Sequence, residues 1–236
     1  MKRKSKRIFL VVMTVLVLAV VAFLLYASDY YRADPAVMRI MDASGSVVSE
    51  NNTITLIPTD KPDTGIIFYP GAKVEYTSYL PLLQKLQQKG YLCVLVQMPF
   101  NLAILNINTA DSVYSQHPEI EHWYLAGHSL GGAMASSYLS DHPEKADGLI
   151  LLGAYVYGSV PSDETLVLYG SEDKILDRSK LSGGKNEVKI EGGNHAQFGN
   201  YGAQVGDGTA TISAEEQQSI TVEKIDEFIN QLATGT

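Results

Sequence analysis

The sequence predicts an α/β domain: a mostly parallel sheet covered by helices on both faces. Short apolar runs with β-branched residues alternate with segments of helical spacing from Thr64 to Leu232. The run Thr64-Gly65-Ile66-Ile67-Phe68-Tyr69 is apolar throughout and stops at Pro70-Gly71, the pattern of a central parallel strand buried on both sides and followed by a loop. The chain has 236 residues, room for one such domain of about 200 residues and an accessory segment.

The elements follow in order. Ser46 to Ser49 and Thr53 to Pro58 read as two antiparallel strands around the turn Glu50-Asn51-Asn52. After the Thr64 to Tyr69 strand, Tyr79 to Lys89 is a helix with Pro81 in its first turn, Leu82, Leu83 and Leu86 on one face, and Gly90 as terminator. Tyr91 to Gln97 is the next strand. A helix at Thr109 to His117, a strand at His122 to Ala126 and a small-residue helix at Leu130 to Ser140 continue the alternation. Asp147 to Leu152 and Thr165 to Tyr169 are two more buried strands, and Glu187 to Ile190 is a short last one. The final helix starts after Ser213, an N-cap with Glu216 three residues on as a capping box. Val222, Ile225, Phe228, Ile229 and Leu232 give it an apolar stripe for the sheet. Segment 46–236 is therefore one α/β domain.

The amino terminus is different. Lys2, Arg3, Lys4, Lys6 and Arg7 precede Ile8 to Ala27, an apolar stretch in which Thr14 is the only clearly polar side chain. That is long enough for a helix to cross the hydrocarbon core of a bilayer. A cleaved, secretory signal peptide is the alternative, but the run exceeds the usual signal core and Leu25-Tyr26-Ala27 lacks a small-x-small cleavage site. The expectation is an uncleaved signal anchor, with segment 1–7 in the cytoplasm by the positive-inside rule, a span at 8–27, a stalk at 28–45 and the α/β domain outside the cell membrane. Outside the basic segment, 13 Lys and Arg stand against 26 Asp and Glu, so this domain is acidic and a poor fit to nucleic acid. Cys93 is the single cysteine and lies in an apolar strand, which excludes an internal disulfide and reads as a small buried hydrophobe.

In a parallel sheet the active site lies at the carboxyl ends of the strands. Three polar residues fall there. Ser129 follows the His122 to Ala126 strand, within Gly127-His128-Ser129-Leu130-Gly131. Asp173 follows Thr165 to Tyr169, within Gly170-Ser171-Glu172-Asp173, where Glu172 and the nearby Asp177 are rival carboxylates. His195 follows the last strand, within Gly192-Gly193-Asn194-His195. The other histidines are set aside by position: His128 flanks the serine and is expected to point elsewhere, His117 and His142 precede prolines near helix ends, and His122 begins a strand. None has a carboxylate or cysteine at metal-ligand spacing, so no metal is expected.

With G-H-S-L-G-G, L-Y-G-S-E-D and G-G-N-H each after its own strand, the chain resembles the α/β-hydrolase superfamily over about Thr53 to Leu232. Phe68-Tyr69-Pro70-Gly71-Ala72 and the short interval Gly153 to Glu164 resemble its compact, lidless, dienelactone-hydrolase-like members. The resemblance implies Ser129 as nucleophile, His195 as general base and then acid, and Asp173 as the carboxylate that orients the imidazole. It implies an oxyanion hole from the backbone N–H of Leu130 and of Ala72, with Lys73 the alternative, since Tyr69-Pro70-Gly71 replaces the common His-Gly form. Tyr155, Tyr157 and Phe198, together with Tyr201, are candidate pocket walls. The expected function is a serine hydrolase of carboxylic esters or similar acyl bonds in small-molecule substrates, without a cofactor. An acyltransferase or peptidase with the same triad and a non-catalytic envelope binding protein are the alternatives.

Overall fold

The computed structural model describes residues 2–42 and 46–235. Contacts divide the chain into two compact units, Met1–Tyr30 and Tyr31–Thr236. The first is helix α1, Lys2–Ser28; its stretch Lys6–Ser28 is long and apolar enough to cross a membrane.

The second unit holds one eight-stranded sheet: β1 (Val47–Glu50), β2 (Thr53–Leu56), β3 (Thr64–Tyr69), β4 (Leu92–Val96), β5 (His122–His128), β6 (Gly148–Leu152), β7 (Thr165–Gly170) and β8 (Glu187–Ile190). Their order is β1-β2-β4-β3-β5-β6-β7-β8. β1 and β2 pair antiparallel, β2 joins β4 antiparallel, and every other neighbour is parallel. The β1–β2 turn is made by Asn51 and Asn52 at φ 50° and 62°, the left-handed pair that closes a tight hairpin and that asparagine tolerates.

Helices α2 (Leu80–Gln88), α3 (Ala110–Gln116), α4 (Leu130–Asp141) and α5 (Ala214–Thr234) cover the two faces. Alternation along each strand decides which face each residue feeds. On one side Ile66 and Phe68 of β3 pack with Leu82, Leu83 and Leu86 of α2 and Val222, Ile225 and Phe228 of α5. On the other, Ile67 and Tyr69 pack with Val113 of α3 and Met134, Tyr138 and Leu139 of α4. The Ser213 hydroxyl accepts from the Glu216 N–H at 3.1 Å, so α5 begins where its capping signal predicts.

Residues 31–42, expected in a stalk, are part of the folded domain instead. The Tyr31 N–H donates to the Lys73 carbonyl at 2.7 Å and the Tyr31 carbonyl accepts from the Glu75 N–H at 2.8 Å. Asp34 caps a short 3-10 helix, Pro35–Ile40, that buries Val37. The cause is long-range pairing and burial: Tyr31 adds backbone pairs to the loop after β3, and Val37 gains apolar burial that a stalk would leave in water. Residues 43–45 of the expected stalk lie outside the described residues.

Candidate active site

The carboxyl ends of β5, β7 and β8 bring three side chains together. At the end of β5, Ser129 has φ 53° and ψ −123°, a conformation that a residue with a side chain adopts only under constraint. The constraint is the abrupt turn from β5 into α4, fixed by the Ser129 N–H donating to the Leu152 carbonyl at 2.9 Å and the Ser129 carbonyl accepting from the Ala133 N–H at 3.1 Å. Close packing makes the turn possible. A Cβ on Gly131 would enter the carbonyl oxygens of Tyr69 and Pro70, and one on Gly127 would lie 2.5 Å from the Gly132 nitrogen. The same closeness lays the loop after β3 against the start of α4.

His195 is 1% exposed. Its Nδ1 is 2.9 Å from Asp173 Oδ2. A carboxylate only accepts, so Nδ1 carries the proton and Nε2 presents its lone pair. That Nε2 is buried and, among the described residues, has no partner. The other carboxylate oxygen, Asp173 Oδ1, accepts from the N–H groups of Ile175 at 2.8 Å and Leu176 at 2.9 Å. Burial works to raise the Asp173 pKa, but the His195 hydrogen bond and charge and these two N–H groups outweigh it, holding the carboxyl below its ordinary 3.8. Of the rival carboxylates, Asp177 is exposed and caps a turn through Ser179, and Glu172 accepts from the Ser171 hydroxyl at 3.0 Å. Neither is bonded to His195.

The His195 loop is itself pinned. Gln217 of α5, fully buried, accepts from the Asn194 N–H at 2.9 Å and donates to the Asn194 carbonyl at 2.8 Å, while Asp207 accepts from the Ala196 N–H at 2.9 Å. Gly153, at φ 53°, leaves the space beside the ring: a Cβ there would stand 2.7 Å from His195 Nδ1.

Ser129, Leu130 and His195 line one pocket of about 280 Å³ whose other walls include Ala133, Ala154, Tyr155 and Leu176. Leu130 is the first residue of α4, where backbone N–H groups have no partner within the helix. In the loop after β3, the Gly71 N–H donates to Tyr79 Oη at 3.1 Å and the Lys73 N–H to the Asn101 carbonyl at 2.8 Å. Among the described residues the Ala72 N–H has no hydrogen-bond partner, whereas that of Lys73 is taken by Asn101.

The four aromatic candidates divide. Tyr155 stands in the pocket wall, its hydroxyl accepting from Lys180 Nζ at 2.9 Å. Tyr157 points to solvent, 55% exposed, and does not line the pocket. Phe198 is wholly buried with its ring 5.8 Å from that of His128, so it packs the floor beneath the site and offers no face to a substrate; Tyr201 is buried beside it. Sequence spacing also missed Ile175 and Leu176, two and three residues after Asp173, which line the same pocket.

No curated protein matches the sequence. Among solved structures, carboxyl esterase 2 of the fungus Tuber melanosporum aligns over 86% of this chain and 91% of its own, with a TM-score of 0.60 and 12% identity. The monoacylglycerol lipase of Paleococcus ferrophilus aligns over 76% of this chain and 100% of its own, at TM-score 0.56 and 15% identity. The dienelactone hydrolase of Anabaena variabilis aligns over 78% and 95%, at TM-score 0.54 and 15% identity. At such identities the likeness is one of fold. The model of the alpha/beta hydrolase family matches residues 65–219, which include the β5 turn, Asp173 and His195, and the chain belongs to that family.

Proposed function

We propose that the protein is a serine esterase that cleaves short acyl esters through an acyl-enzyme, held at the cell membrane by its first helix. One observation carries the reading: His195 is fixed through Nδ1 to a buried carboxylate while its Nε2, buried and unpartnered, lines the same small pocket as the strained Ser129. A buried imidazole nitrogen without a partner is costly, and a serine at positive φ is strained. Both costs have a purpose if the nitrogen takes the Ser129 proton.

In this reading Ser129 Oγ attacks the ester carbonyl as its proton passes to His195 Nε2. The imidazolium so formed is stabilised by Asp173, and the oxyanion accepts hydrogen bonds from the N–H groups of Leu130 and Ala72. His195 then gives the proton to the departing alcohol, and a water molecule activated by the same nitrogen releases the acid. The pocket supports the choice of acyl group. About 280 Å³ walled by Leu130, Ala133, Ala154 and Leu176 suits a few carbons, and it lies at the low end of small-molecule sites.

The five cations before the apolar helix support a cytoplasmic amino terminus and an outward-facing domain. The full chain, purified in detergent, is expected to hydrolyse p-nitrophenyl acetate and butyrate at least tenfold better than the palmitate, measured as kcat/KM. A preference for palmitate would overturn the assignment of the pocket, and no turnover of any ester would overturn the esterase reading. Protease added to intact cells should digest the domain; full protection would reverse the topology.

A further inference from the structure

We propose that His128 and Tyr79 are positioning residues, a buried pair that locks the loop bearing the second oxyanion donor to the backbone of the general base. The inference rests on the serine esterase reading for its effect on rate.

His128 is the residue before Ser129 and is 1% exposed; Tyr79, from the turn before α2, is fully buried. His128 Nε2 lies 3.1 Å from the His195 carbonyl oxygen. A carbonyl only accepts, so this nitrogen carries the hydrogen. His128 Nδ1, 2.8 Å from Tyr79 Oη, is then the acceptor of a neutral ring, and the tyrosine hydroxyl is the donor. Having spent its proton there, Tyr79 Oη accepts from the Gly71 N–H at 3.1 Å. Every hydrogen in the series is placed: Gly71 N–H to Tyr79, Tyr79 O–H to His128, His128 N–H to His195. Reversing one step leaves a buried group without a partner.

The series joins three segments that the reaction needs in register. Gly71 precedes Ala72, His128 precedes Ser129, and the carbonyl at the far end belongs to His195. Committing the Gly71 N–H to Tyr79 leaves the next N–H, that of Ala72, as the available donor. The fit is close. A Cβ on Gly71 would lie 2.8 Å from His128 Nδ1 and 2.9 Å from Tyr79 Oη, and the His128 ring stands 4.5 Å from the His195 ring, centre to centre.

A neutral His128 also suits its neighbour. The ionisable groups packed around it are Tyr79, Tyr201 and His195, the last paired with Asp173. Burial, reinforced by the nearness of His195, pushes the His128 pKa well below 6.5 against the opposing pull of the His195 carbonyl. When His195 takes up the serine proton, the ring packed against it adds no second positive charge.

The test uses the full chain in detergent. Tyr79→Phe keeps the ring and removes the hydroxyl. It is expected to lower kcat for p-nitrophenyl butyrate by about 10- to 100-fold with KM within twofold, because the oxyanion is bound only in the transition state. His128→Gln, which can still donate and accept, should retain at least tenfold more turnover than His128→Leu. In the wild type, ring 15N shifts should place the His128 hydrogen on Nε2 and show the ring still neutral below pH 6.5. Turnover by Tyr79→Phe within twofold of wild type, equal losses in both His128 variants, or a hydrogen on Nδ1 would each overturn the proposal. A wild type without ester turnover would sink the esterase reading alone, and the 15N shifts would still decide the hydrogen-bond series.

Discussion

The two ends of the sheet differ in a way that separates cavity size from chemistry. At the amino ends of the parallel strands a broad groove of about 950 Å³ is lined by Asp63, Glu144, Asp147, Glu164 and Asp226, with Lys89 and His122 among them. Its polar pairs, His122 with Asp147 at 2.8 Å and Lys89 with Asp226 at 3.1 Å, are partly or largely solvated. The carboxyl ends hold a pocket of about 280 Å³, backed by the buried pair His195 and Asp173. Charges in water cost little and do little, whereas a buried carboxylate and imidazole persist only when hydrogen bonds fix them in place. The smaller hollow is therefore the candidate for catalysis, and the larger one is a solvated surface between strand starts.

The sharpest way to break this contrast is to remove a group at the carboxyl end. Ser129→Ala or His195→Ala is expected to reduce kcat for p-nitrophenyl butyrate by about 10⁴-fold or more, and Asp173→Asn by a similar factor through loss of the correct tautomer, all by steady-state kinetics. Next in size is Gly153→Ala. The new Cβ would press on His195 Nδ1 from a left-handed backbone, so the variant should lose about 1–3 kcal/mol in chemical denaturation and at least tenfold in turnover.

A pH series adds a third comparison. The unfolded chain carries an ordinary His128 of pKa 6.5, whereas the folded chain holds it lower; the unfolded state therefore binds more protons just below pH 6.5. Stability from this group is complete above pH 6.5 and declines as pH falls below it. Asp173, held below 3.8 in the fold, adds a second decline as pH falls through its folded value. Thermal unfolding should show Tm falling from pH 6.5 downward, with a flatter profile just below 6.5 for His128→Gln. At the amino end the expected effect is smallest: Lys89→Ala should change stability by less than about 1 kcal/mol and leave kcat/KM within twofold, since its partner Asp226 is partly exposed.

The sequence made some of this legible and hid the rest for identifiable reasons. Strand positions show in it because burial on both faces demands unbroken apolar runs such as Ile66 to Tyr69. Ser129 and Asp173 stand out because each follows such a run and His195 because it follows the short last strand, Glu187–Ile190, and the structure brings all three to one end of the sheet. The placement of β4 between β2 and β3 left no mark, since a strand buried on both faces looks alike wherever it inserts. Segment 31–42 looked like a stalk because its fixing contacts, Tyr31 with Lys73 and Glu75, join residues more than 40 positions apart. Phe198 and Tyr157 looked equivalent as loop aromatics, yet one is buried and the other solvated, because side-chain direction in a loop follows no period. His128 was hidden for a related reason: its partners Tyr79 and His195 are distant in sequence and meet only when the sheet is assembled.

The most direct measurement is mass spectrometry of the full chain after reaction with a fluorophosphonate. A single adduct on Ser129, formed at least a hundredfold more slowly in His195→Ala, is the expected result. No adduct, or one that forms elsewhere and is indifferent to His195, would contradict the assignment of a serine nucleophile activated by that imidazole.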